Sequence, residues 1–264
     1  MKKRYGTVIG VFSGKGGAGK TTAVVNVSLS LAQKMKDKVL LVETTLPVST
    51  LGLYFGITKP PISIQDILMG RENAEKALIT YKDKLDILLG PTDFAGESGL
   101  VDICSLIDPL KRKYSIILID SPPGFGIEVN SSLRVCDEIL IVCQPEIPSL
   151  FGALQTLRRA NEWRVSVTGI IVNRVTKKNY EISVGDIKNI FEERTIFVIP
   201  EDSKVPQSIA KGVPIVVSFP NSPAAVEFNR LAQTILARIR TQRYIKYPRK
   251  KSTINQKNQR GTIP

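Results

Sequence analysis

Ser13 to Thr22 reads SGKGGAGKTT, and within it Gly14-x-x-x-x-Gly19-Lys20-Thr21 satisfies the complete P-loop pattern of a phosphate cradle. Glycines at this spacing let successive backbone N–H groups turn inward around a phosphate. A helix starting near Lys20 directs the positive end of its dipole at the same anion. Gly14, Gly16, Gly17, Ala18, Gly19 and Thr22 are therefore expected to line the cradle. Lys20 is expected to reach the β- and γ-phosphate oxygens, and the Thr21 hydroxyl to ligate Mg²⁺. Lys15 is an additional cation inside the loop, for which an ordinary cradle has no use.

A second candidate lies in SIILIDSPPG, where Asp120 ends an apolar run. An unpaired carboxylate buried there costs several kcal/mol, so Asp120 is expected to hold Mg²⁺ through water, sharing the metal with Thr21. The chain has no histidine, which excludes Ser-His-Asp and Cys-His catalysis. Cys104, Cys136 and Cys143 form no C-x-x-C pair and read as small core residues rather than as a disulfide framework or thiolate metal site. Chemistry here must use Lys, Thr, Asp, Glu and a bound cation.

These residues need a scaffold. Short β-branched runs alternate with helical patterns, the signature of repeated β-α units and a parallel sheet buried on both faces. Strands are expected at Thr7–Phe12, Lys38–Glu43, Leu85–Gly90, Ser115–Asp120, Glu138–Gln144, Thr168–Asn173 and Thr195–Ile199. The fold class is α/β, a doubly wound, mainly parallel sheet with helices on both faces. Ligands of such sheets sit beyond the carboxyl ends of the strands. Ser13–Thr22, Glu43–Thr50, Asp120–Gly124, Asn173–Arg174 and Pro200–Asp202 all fall at such ends.

The cradle with its extra lysine, GKGGAGKTT, resembles the deviant Walker A of the MinD/ParA family of dimerising P-loop ATPases, over roughly residues 8–239. The resemblance implies ATP or ADP with Mg²⁺ as cofactors. It implies a homodimer around ATP in which Lys15 reaches the partner's phosphates, and an activating protein partner. DSPPG then corresponds to the second switch. Asn173 in GIIVNRV corresponds to the asparagine that bonds the adenine edge, and Pro200 and Asp202 to the loop enclosing the base. In the family the strand before the first switch ends in D-x-D, whose second aspartate polarises the attacking water. Here VETTLPVST places Glu43 at the first carboxylate and Thr45 at the second. A threonine cannot accept the proton, so a general-base contribution of roughly 10²–10⁴ is at stake. Glu43 remains a candidate to reach the water. Lys15, Lys20, Glu43 and Asp120 form the expected catalytic set, with slow or partner-stimulated ATP hydrolysis.

The implied role is an ATP-dependent switch that positions or partitions a division site, chromosome, plasmid or other cargo. The alternative is a non-hydrolysing, nucleotide-locked adaptor that recruits a partner to DNA or membrane. The net charge of +13 is concentrated at the end: from Arg238 onward there are nine Lys and Arg and no acid, leaving +4 for the rest. Residues 1–241 are expected to form the ATPase domain and 242–264 a basic, disordered tail. Such a tail suits DNA, anionic membrane, or simple solubilisation. No run of ~18 apolar residues occurs, so a cytoplasmic protein is expected, peripheral on nucleoid or inner membrane face.

Overall fold

The computed structural model describes residues 5–45, 49–92, 103–192 and 194–246, with side chains to Thr241. Eight strands form one sheet: β1 Thr7–Phe12, β2 Val39–Glu43, β3 Ile79–Tyr81, β4 Leu85–Leu88, β5 Ile116–Asp120, β6 Glu138–Cys143, β7 Ser166–Val175 and β8 Ile196–Pro200. Their order is β3-β4-β2-β5-β1-β6-β7-β8, and every pairing is parallel except β3 with β4. The helices are α1 Lys20–Lys34, α2 Ile64–Leu68, α3 Ala74–Ala77, α4 Ile103–Leu110, α5 Ile127–Arg134, α6 Ile147–Glu162, α7 Val184–Ile190, α8 Lys204–Ala210, α9 Ile215–Ser218 and α10 Pro223–Lys246.

Period-2 geometry sends alternate strand side chains to opposite cores. Ile9, Val11, Leu41, Leu118, Leu140 and Val142 pack with α1, α9 and α10. Val8, Phe12, Leu40, Ile117, Ile119 and Ile141 pack with α4, α5 and α6 on the other face. Helix α1 is buried from Ala23 to Ala32 because it lies between sheet and α10, which explains its near-continuous apolar sequence. Seven strands match the expected ones to within two residues at each end. The eighth, β3, was not expected; three residues carry no readable period, and its hairpin turns through Lys82 and Asp83 at positive φ without a glycine. Helix α10 continues five residues past Thr241. Residues 247–264, most of the expected tail, lie outside the described residues.

Since β1 has β5 on one side and β6 on the other, strand order reverses at β1, and the crevice beyond its carboxyl end is the topological switch point.

Candidate functional site

The cradle occupies that crevice. Gly17 and Gly19 take φ of +75° and +101°, the left-handed region that glycine enters without steric cost. Gly19 is also crowded: a Cβ there would lie 2.1 Å from Asn173 Nδ2. Gly14 packs on α6, where a Cβ would lie 2.4 Å from the Gly152 carbonyl oxygen. Backbone cannot yield as a flexible side chain does, so Gly14→Ala should lower unfolding free energy by about 3 kcal/mol, measured by denaturant titration. An unchanged midpoint would show that loop and helix separate freely.

Lys20 begins α1 and is buried, and burial pushes its ammonium pKa down against the opposing attraction of Asp120. The Thr21 hydroxyl donates to Asp120 Oδ2 at 2.7 Å. Asp120 Oδ1 is buried with no hydrogen-bond partner. Burial, with Glu43 nearby adding to it, raises the Asp120 carboxyl to about 7, against the Thr21 bond and Lys20. A hydroxyl and a carboxylate with one uncommitted buried oxygen are a donor set that suits a hard divalent cation.

The turn after β5 is tied to the cradle. Ser121 Oγ donates to the Val11 carbonyl at 2.8 Å, and Gly124 N–H donates to Ser13 O at 3.4 Å. Lys15 Nζ pairs with Glu146, the residue immediately before α6. Around this pair, Phe125 and Ile127 after the turn and Ile147, Phe151 and Leu154 of α6 are exposed, Ile147 by 74% and Phe151 by 62%.

Glu43 is fully engaged within its own chain. Its carboxylate is 1% exposed; Oε2 accepts from Ser49 Oγ and from Gly90 N–H at 3.2 Å, while Oε1 accepts from the N–H groups of Thr50 and Leu51 at 3.0 and 3.1 Å. All four acceptor positions of the carboxylate are filled, leaving none for a water at the cradle. Burial raises its pKa, opposed by these four bonds. In this structure Glu43 therefore anchors the segment after β2. Thr44 next to it donates from N–H and hydroxyl to the Asp120 carbonyl at 3.0 and 2.9 Å. The half-buried Thr45 thus follows directly on the end of the Asp120 strand.

Asn173, Pro200 and Asp202 do converge. With Gly17, Gly19 and Thr22 they line one cleft beside the cradle. Asn173 Nδ2 donates to the Ala18 carbonyl at 2.9 Å, and because that carbonyl can only accept, the amide must present Oδ1 as an acceptor. Asp202 is partly committed, accepting from Lys204 N–H at 2.9 Å and Ala224 N–H at 3.1 Å. Sequence reasoning missed three further lining groups, the α8 residues Val205, Pro206 and Ile209, whereas Arg174, paired with Glu201 at 2.8 Å, belongs to the strand-end span Asn173–Arg174.

A phosphate cradle at the switch point of a mainly parallel, doubly wound sheet defines a P-loop NTPase fold. Known proteins agree. The family described as AAA domain matches residues 6–170. An uncharacterised ATP-binding protein of Methanocaldococcus jannaschii is 31% identical over 235 residues, 86% of this chain and 87% of that protein. The cell division ATPase MinD of Pyrococcus furiosus superposes with a TM-score of 0.83 at 30% identity, over 88% of this chain and 99% of that one. MinD of Pyrococcus horikoshii, solved with Mg-ADP, gives 0.82 at 30% identity, over 88% and 97%. The chain belongs to the MinD/ParA family of P-loop ATPases. Among the described residues no helix is long and apolar enough to cross a membrane.

Proposed function

We propose that the chain is an ATP-dependent dimerising switch of the MinD/ParA type, with slow or partner-stimulated hydrolysis, acting in intracellular positioning or partitioning. The observation that carries this reading is Lys15 in the cradle, ion-paired within its own chain to Glu146 and bordered by exposed apolar residues. That surface suits a second copy, in which each Lys15 exchanges Glu146 for the other copy's phosphates.

Gly14 to Thr22 hold the phosphates, Lys20 neutralises the β- and γ-oxygens, and Thr21 with Asp120 holds Mg²⁺. A divalent cation held by Thr21 and Asp120 would supply charge to offset what develops on the phosphate oxygens. The Pyrococcus horikoshii relative with Mg-ADP supports this assignment. Lys15 of the second copy adds charge stabilisation to phosphoryl transfer. Thr45 and Glu43 leave the general-base role without a free carboxylate, so turnover is slow and depends on positioning. A nucleotide-locked adaptor remains as the second reading, favoured by the filled acceptor positions of Glu43.

Asn173 Oδ1 accepts from the amino group of adenine, a donor that guanine replaces with a carbonyl. Pro200 and Asp202 close the base side. Calorimetric titration should give Mg-ATP binding at least about tenfold tighter than Mg-GTP. Equal affinities would remove the base assignment, and no binding of either would remove the nucleotide reading itself.

The tail is proposed as the surface contact, supplying +7 to nucleic acid or anionic lipid. Helix α10 leads toward it across the sheet: Ala224 bonds Asp202 beyond β8, while Arg238 approaches Glu138 at the start of β6, at 3.3 Å. Helix α10 thus runs from the cradle side of the sheet toward the opposite end. The protein is placed in the cytoplasm, peripheral on nucleoid or inner membrane face.

A further inference from the structure

The segment that follows Thr50 carries a group that the proposed mechanism does not use. Leu51–Phe55 forms one 3₁₀ turn, and Tyr54 on it directs its phenol at the cradle, 3.0 Å from Thr22 Oγ1. Thr22 lines the same cleft as the phosphate glycines Gly17 and Gly19 and the base-side residues Asn173 and Pro200. On the nucleotide reading, a group shared by the phosphate loop and the base side faces the phosphate joined to the nucleoside. A threonine hydroxyl has one proton; if it donates that proton to a phosphate oxygen, its own oxygen must accept from another donor. The Tyr54 hydroxyl, 3.0 Å away, is in position to be that donor. Burial pushes the phenol pKa up, and the charge of Asp120 adds to this against the Thr22 bond, so the phenol keeps its proton.

Both ends of the turn are fixed. At its start, the Glu43 carboxylate accepts from Thr50 and Leu51 N–H and from Ser49 Oγ. At its finish, Gly56 and Gly212 meet so closely that a Cβ on Gly212 would lie 2.7 Å from Gly56 Cα. Gly212 follows α8, which supplies Val205 and Ile209 to the base side of the cleft. One rigid turn therefore links the anchor after β2, the phosphate cradle and the base wall.

We propose that Tyr54 is a positioning residue for the nucleotide, orienting the Thr22 hydroxyl toward the phosphate next to the nucleoside. The inference rests on the nucleotide reading of the site. It gives Glu43 an indirect role, since its four bonds hold the turn that carries Tyr54.

The test is a double-mutant cycle on the full chain, reading the Kd for Mg-ADP in wild type, Tyr54→Phe, Thr22→Val and the double variant. Tyr54→Phe keeps the ring and removes only the hydroxyl. Expected is a weakening of about fivefold for Tyr54→Phe and a larger one for Thr22→Val, with no further loss when the two are combined. A packing role for the phenol would give losses that multiply. Multiplying losses, or an unchanged Kd in Tyr54→Phe, overturn the inference and leave the nucleotide reading standing. Absence of Mg-ADP binding in wild type overturns both.

Discussion

Thr45→Asp should raise ATP turnover by roughly 10²-fold, because it restores a carboxylate where a general base contributes about 10²–10⁴. The position suits the test. Thr44 is tied by two hydrogen bonds to the Asp120 carbonyl, so residue 45 starts from a fixed backbone point at the end of the cation-binding strand. Thr45 is half-buried, and an aspartate there keeps access to water. Glu43 does not compete for the role, since its four acceptor positions serve Ser49, Thr50, Leu51 and Gly90. Steady-state phosphate release, with Mg-ATP affinity measured alongside, is the readout. Faster turnover at similar affinity identifies the missing base as the brake. Unchanged turnover would place the limiting step elsewhere, in product release or in dimer formation.

Lys15→Ala should abolish ATP-dependent dimerisation and lower partner-stimulated turnover by roughly 10³, the lower end of what a cation supplied in trans contributes. ATP binding itself should fall far less, because Lys20, Thr21 and the backbone donors of the cradle belong to the same chain. Lys15 in this structure is held by Glu146, and both side chains are more than 40% exposed, so the pair is a solvent-screened contact that a phosphate can replace. Titration calorimetry with light scattering separates binding from association. Equal loss of both in Lys15→Ala would reduce Lys15 to an ordinary member of its own cradle.

The elements that position the site were legible where one local rule sufficed. Apolar β-branched runs identified β1, β2 and β4 to β8, since a strand covered on both faces has to be apolar throughout. The cradle was readable because its glycines answer a backbone need, seen in the positive φ of Gly17 and Gly19. Asn173, Pro200 and Asp202 came from the family resemblance and meet in one cleft because β7 and β8 are neighbours.

What stayed hidden depends on groups far apart in sequence. Nothing near Glu43 announces that Gly90, from the end of another strand, donates to it. The carboxylate that looked like a substitute base is an anchor only in three dimensions. The partnership of Lys15 with Glu146 spans 131 residues, and that of Tyr54 with Thr22 spans 32. Tyr54 sits among apolar residues in LGLYFG, where an aromatic reads as core. β3 failed for a different reason, its three residues being too few to show a period.

The most direct test of the central claim is the solution mass of the wild-type chain with Mg-ATP and with Mg-ADP, read by light scattering. The account predicts twice the 29.1 kDa monomer mass with Mg-ATP, persisting for minutes because hydrolysis is slow, and monomer with Mg-ADP. The same mass with either nucleotide would contradict an ATP-dependent dimer and leave a nucleotide-binding protein without the switch.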